Sequence, residues 1–192
     1  MNSFSGKFDK SHVLFLLAVL CLGAVVFKVT ELPSSPNVRA LIIPQKGRIQ
    51  TLDQKRVPKL ERTQYYSTLD FPSNKFLKHK NGEIVGFNSN FFIDFSAQAL
   101  VKVAGSYQIS VATDDGFRLK IDDRNIGQFL GDRPSTEQVF DVVLSEGVHN
   151  FEMQYFQGSG NAAAVVRYKA PGQESFLPLG SNSSSVYFTP FH

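Results

Sequence analysis

Two neighbouring carboxylates followed by a glycine, Asp114-Asp115-Gly116, are the residues of this 192-residue chain best suited to chemistry. They stand between two stretches in which apolar and polar residues alternate, Tyr107–Thr113 and Phe117–Ile121. Asp and Gly tolerate left-handed backbone angles, and Asp bonds to nearby amides, so the triplet alone spells a hairpin turn. Two hard oxygen donors held together by a rigid loop would also suit Ca2+, which needs further oxygens from another loop. Both readings stand on spacing alone.

Other reactive residue types are present without a productive pattern. The histidines His12, His79, His149 and His192 are scattered, and none has metal-ligand spacing. Cys21 is the only cysteine, which excludes an intrachain disulfide and a thiolate metal cluster. No Gly-x-Ser-x-Gly or other nucleophile–base pattern occurs, and Asp94 and Glu152 cannot be paired from sequence as a glycosidase dyad. Gly158-x-Gly160-x-x-Ala163 mimics a dinucleotide fingerprint but leads into a β-rich stretch where that fingerprint needs a helix. Asp122-Asp123 reads as a second hairpin turn with solvated acids. The chain is therefore read as non-enzymatic.

The elements that must position Asp114 and Asp115 are strands, because the side-chain period from Tyr65 onward is two. In Phe117-Arg118-Leu119-Lys120-Ile121 apolar residues alternate strictly with cations, so one face is buried and the other wetted. Tyr107, Ile109 and Val111 repeat the pattern, as do Phe151, Met153 and Tyr155. Strands are expected at 91–95, 100–103, 107–113, 117–121, 138–144, 149–156 and 162–168, separated by turn residues at 104–106, 122–125, 146–147 and 158–160. That many short strands predict an all-β fold, an antiparallel sandwich or barrel.

Upstream the character changes. Val13 to Phe27 is an uninterrupted apolar run flanked by Lys7, Lys10 and Lys28. A cleavable signal peptide has a similar start, but a cut after Gly23 or Ala24 would leave an apolar stub, and Leu20 before Cys21 departs from a lipoprotein signal. We read residues 12–29 as an uncleaved transmembrane anchor, with residues 1–11 cytoplasmic and the rest extracytoplasmic (periplasmic, at the inner membrane). Residues 30–62 read as a basic, proline-containing linker with short strands at 38–44 and 48–52. The β domain is set at 63–185, with a tail at 186–192. Residues 28–62 carry a charge of +5 and residues 63–192 a charge of −3, so the basic pI belongs to the linker. Nucleic-acid binding, which wants cations and aromatics on the folded part, is excluded as a reading.

Several motifs occur in an order that resembles one family. Gly105-Ser106-Tyr107, then Asp114-Asp115-Gly116, then Arg118-Leu119-Lys120-Ile121-Asp122 follow one another within Phe91–Asp122. Leu144 to His149, Glu152 to Phe156 and the Gly-rich stretch Gly158 to Tyr168 come after them. This series resembles the PA-14 domain, a β-barrel module of adhesins, glycosidases and toxins, over about residues 85–180. The resemblance implies that Asp114 and Asp115, joined by a cis peptide, hold a Ca2+ ion that coordinates sugar hydroxyls. It implies a further ligand from an Asn in a later loop, for which Asn161 in Gln157–Asn161 is the nearest candidate, and it brings Gln157 into the ligand-binding set. The adhesin members commonly line the sugar with an aromatic such as Trp, and this chain has no Trp.

Two functions compete on this basis. One is a membrane-tethered module that recognises a glycan with the help of Ca2+. The other is a non-catalytic assembly subunit of an envelope complex serving secretion, polysaccharide export or pilus formation.

Overall fold

The computed structural model describes residues 35–191. The expected anchor (12–29), the expected cytoplasmic N-terminus (1–11) and the first residues of the expected linker lie outside the described residues. Among the described residues no helix is long and apolar enough to cross a membrane, and all regular structure is β.

Among the described residues twelve strands form two antiparallel sheets. They are β1 (Val38–Pro44), β2 (Arg62–Tyr66), β3 (Asp70–Asn74), β4 (Phe91–Val101), β5 (Gly105–Asp114) and β6 (Phe117–Ile121). After them come β7 (Arg124–Phe129), β8 (Thr136–Leu144), β9 (Gly147–Gln157), β10 (Ala162–Lys169), β11 (Leu177–Pro178) and β12 (Val186–Phe188). The first sheet runs β2-β1-β4-β9-β6-β7, with β12 also on β4. The second runs β11-β10-β5-β8, with β3 also on β10.

The predicted alternation is what packs the two sheets together. Phe117, Leu119 and Ile121 of β6, Tyr107, Ile109 and Val111 of β5, and Phe151, Met153 and Tyr155 of β9 are all buried in one core. Rings fill much of it, including Phe71 against Phe95 at 5.7 Å and Phe91 against Tyr155 at 6.3 Å. Each fully buried Phe contributes about 1.5–3 kcal/mol of transfer free energy, which is why a sandwich of this size holds without disulfides. At one side of the sandwich the sheets meet between β7 and β8, where the Phe140 ring lies on the backbone of Gly127; a Cβ there would come within 2.2 Å of the ring.

Three sequence expectations are corrected. Residues 38–62 are not a linker: β1 sits inside the first sheet between β2 and β4, and Val38, Ala40 and Ile42 are in the core. Residues 48–52 form no strand; they fold as a cap on the outer face of that sheet. There Ile49 and Leu52 build a second, smaller core with Ile43, Phe92 and Phe156. The basic run is accordingly not a free spacer, since Arg56 forks onto Asp94 at 2.5 and 2.8 Å and lies 4.7 Å from the Phe92 ring centre. Nor is 186–192 a tail, because β12 pairs with β4 and buries Val186 and Phe188.

Candidate functional site

The two strands flanking Asp114-Asp115-Gly116 belong to different sheets, β5 to the second and β6 to the first. The triplet is thus a crossover between sheets, and the hairpin reading is wrong. Gly116 explains why no larger residue fits the step: a Cβ there would lie 2.5 Å from the Phe156 ring and under 3 Å from the carbonyls of Phe129 and Gly131. The stretch Gly158–Asn161 makes the reverse crossing, from β9 to β10. Both crossings occur at the same end of the sandwich, because Asp114 is in register with Ala163 and Gln157 with Phe91. The loop between β7 and β8 reaches this rim as well.

These segments are bonded to one another through the acid pair. The Gly158 amide donates to Asp115 Oδ2 at 2.7 Å, and the Ser135 amide donates to Asp114 Oδ2 at 3.1 Å. From below, Tyr155 directs its hydroxyl at the Asp114 carbonyl (2.5 Å) and at Gln157 Oε1 (2.6 Å). The Gln157 amide nitrogen then donates to the Asn161 carbonyl at 2.8 Å. The Asp114–Asp115 peptide is cis.

Electrostatics at the rim are one-sided. Asp115 is 1 % exposed, and burial pushes its carboxyl well above the usual range. The Gly158 amide opposes the shift, while the neighbouring side chain of Asp132 and the charge of Asp114 add to it. Burial also raises Asp114, against the pull of the Ser135 amide and with a push from Asp132. Among the described residues, no ion pair involves any of these three carboxylates. The nearby cation Arg133 is turned elsewhere, donating to Gln138 and Thr113 and lying 4.3 Å from the Phe129 ring centre.

The predicted site residues therefore converge on one rim but differ in what they offer. Asp114 and Asp115 present the charge. Asn161 is exposed, and its side chain makes no hydrogen bond among the described residues. Gln157 is fully buried with both ends of its amide engaged, so it braces the Asn161 backbone and offers no free group to a ligand. Sequence reading missed Asp132, Ser135 and Tyr155. Asp132 sits in a turn-rich stretch, Gly131-Asp132-Arg133-Pro134-Ser135, which marks a loop without saying which rim it covers.

The donor set suits a hard cation in part. Uncompensated, crowded carboxylates, with an exposed Asn161 on the neighbouring crossing, are oxygen donors of the type Ca2+ takes. No group of three or more His, Cys, Asp or Glu side chains among the described residues is arranged to hold a metal alone. Amide, carbonyl and solvent oxygens would have to complete the six to eight that Ca2+ requires.

Asp122-Asp123 does form a two-residue hairpin turn, between β6 and β7, with φ of 49° and 63° at the two residues. Asp122 is not merely solvated. It lies 2.6 Å from His149 Nδ1 and accepts from the Asn150 amide at 2.8 Å, while His149 Nε2 lies 2.9 Å from the Ser145 carbonyl. Asp94 is held by Arg56 in an ion pair.

A family model described as the PA14 domain matches residues 77–179. Among solved structures, a PA14 sugar-binding domain from an RTX adhesin is 16% identical, covering 76% of this chain and 95% of its own, with a TM-score of 0.58. The PA14 domain of MpAFP antifreeze protein is 14% identical, covering 76% and 87%, with a TM-score of 0.57. The epithelial adhesin 9 A domain of Candida glabrata, solved with Galβ1-3GlcNAc, is 11% identical, covering 76% and 88%, with a TM-score of 0.54. No curated protein sequence matches. At these identities the structures establish a shared fold.

Proposed function

The chain belongs to the PA14 domain family, and from that premise we propose that it is a non-catalytic, membrane-tethered glycan-recognition module whose rim uses Ca2+. The observation that carries the reading is the convergence of Asp114, Asp115 and Asp132 on two inter-sheet crossings, with Asn161 exposed on the second of them. Fixed carboxylates without a cationic partner are costly to keep ionised in a buried rim, and a bound cation removes that cost. Asp114 and Asp115 would hold the ion, with Asn161 as an additional oxygen donor and Asp132 facing it. The ion would supply open coordination positions for vicinal sugar hydroxyls. Tyr155 and Gln157 keep the two crossings in place from beneath.

Two structural neighbours support the ligand class, one named for sugar binding and one solved with a disaccharide. The tether rests on the apolar run Val13–Phe27 and its flanking lysines. On this reading the domain projects from the outer face of the inner membrane.

Titration calorimetry of the full chain in detergent micelles tests the proposal. Ca2+ should bind with a Kd of roughly 10⁻⁴–10⁻³ M, the range of extracellular modules. Asp114→Asn and Asp115→Asn should abolish that heat, and glycan-array binding should appear only with Ca2+ present. A silent titration at millimolar Ca2+ would refute the metal, and Ca2+ binding without any glycan signal would refute the ligand class.

A further inference from the structure

Opposite the acid rim, the sandwich carries exposed apolar side chains in an ordered row. Tyr187 of β12, Leu100 of β4 and Val148 of β9 are directly opposed across three neighbouring strands, so their side chains share the outer face of the first sheet. They are 45%, 40% and 59% exposed. Just beyond, Lys102 places its ammonium 5.8 Å from the Tyr187 ring centre, and Val103 is also exposed. The next row toward the rim is polar, with Gln98 bonded to Asn150, so the stripe ends where the strands do. An apolar stripe held at one end of a sheet by Tyr and Lys has the composition of a surface that meets lipid headgroups.

The path of the chain says which occupant this stripe meets. β1 runs toward the rim, from Val38 to Pro44, and Pro44 is in register with Phe91. Ser35, the first described residue, therefore lies in the half of the sandwich that bears the stripe. Only residues 28–34 separate it from the apolar run ending at Phe27, and seven residues reach at most about 25 Å. The charged groups around this end nearly cancel, Lys102 and Arg124 against Asp122, Asp123 and Glu146. That balance suits a zwitterionic surface.

We propose that the Tyr187–Leu100–Val148 end of the domain rests on the bilayer in which the chain is anchored. The proposal rests on the anchor reading of residues 12–29. It fixes the orientation of the glycan site, because Phe91 and Leu100 are nine residues apart on β4 and a strand rises about 3.3 Å per residue. The acid rim would stand off from the lipid, by at most about 30 Å, the full height being reached with the strands upright.

The test uses the full chain with Cys21→Ser and a single new cysteine, Val148→Cys at the stripe or Ser159→Cys at the rim, each carrying an environment-sensitive fluorophore. Both are reconstituted into phosphatidylcholine vesicles containing lipid with a nitroxide on its headgroup. The label at 148 should be quenched at least two-fold, and the label at 159 should be unchanged. Equal quenching at the two positions, or none at 148, overturns the proposal. So does efficient cross-linking of unlabelled Val148→Cys chains to one another, which would make a second copy the occupant. Alkaline extraction separates the two levels: release from the vesicles sinks the anchor and this proposal together, whereas retention without quenching at 148 sinks this proposal alone.

Discussion

The amide of Gly158 and the carboxylate of Asp115 are joined at 2.7 Å, although 43 residues separate them in the chain. This bond fastens the crossing from β9 to β10 onto the crossing from β5 to β6, so the two halves of the rim are set by each other. Gly158 also has little room for a side chain, since a Cβ would lie 3.0 Å from the Ile49 carbonyl and 3.3 Å from Asp115 Oδ2. Gly158→Ala should cost about 1 kcal/mol by denaturant titration, the lower end of overpacking costs. It should also weaken Ca2+ binding more than Ser159→Ala does, because only Gly158 touches the acid. Equal affinities in the two variants would count against the linkage.

Gly116→Ala should be far more damaging. Its Cβ would press on two carbonyls and the Phe156 ring at once, and backbone yields less readily than a flexible side chain. We expect a loss of about 3 kcal/mol or failure to fold. A variant with near-native stability would show that the crossing rearranges easily.

The fragment 63–192, which contains every alternating strand from Tyr65 onward, should not fold by itself. Without β1 the first sheet loses the strand that bridges β2 to β4, and the core loses Val38, Ala40 and Ile42. Residues 35–192 should unfold cooperatively where 63–192 does not, as read by circular dichroism and amide dispersion in NMR spectra.

The buried Asp115 makes a signed prediction for the metal-free protein. Its carboxyl is pushed from 3.8 to about 7, chiefly by burial, so between those values the folded state holds a proton that the unfolded state has lost. Its contribution to stability is complete below about pH 4 and falls as pH rises through about 7, with a slope of at most about 1.4 kcal/mol per pH unit. Asp115→Asn removes this dependence, so the stability difference between variant and native chain in chelator should grow in the variant's favour from pH 4 to pH 7. Ca2+ should reverse the difference at neutral pH. A pH-independent difference would mean that Asp115 ionises normally.

At the other end of the sandwich the sign is opposite. Burial works against the Asp122 carboxylate, but the Asn150 amide, His149 and Arg124 outweigh it and hold its pKa below the ordinary value. Its stabilisation is present above about pH 4 and is lost as pH falls through the lower folded value. Asp122→Ala should cost about 1 kcal/mol more at pH 7 than at pH 2, the net worth of the ionised side chain's hydrogen bonds in a half-exposed setting, over a pH-independent cost of placing Ala at a φ of 49°. Acid titrations of unfolding free energy for both chains would show the two curves drawing closer at low pH.

What the sequence determined by itself was the class of structure and the order of its parts. Strict alternation in Phe117–Ile121 and Phe151–Tyr155 requires a strand with one buried face, and Asp122-Asp123 requires a tight turn, because both follow from backbone geometry within a few residues. The ordered motifs from Gly105 to Tyr168 were legible for the same reason, as were the acid pair and Asn161 as polar breaks between strands. Which sheet a strand joins is not a local property. Alternation says that one face of β5 and of β6 is buried, but a hairpin and an inter-sheet crossing bury the same residues, so the course of Asp114-Asp115-Gly116 was decided only when β9 and β10 took their places beside those strands. The same holds for β1, whose pattern is short and followed by charge, and which became the bridge between β2 and β4 through backbone pairing with residues far along the chain. Asp132, Ser135 and Tyr155 entered the rim for that reason: packing brought the Ser135 amide and the Tyr155 hydroxyl within bonding distance of Asp114 and placed Asp132 near Asp115, and the alternation that buries Tyr155 does not say what its hydroxyl meets.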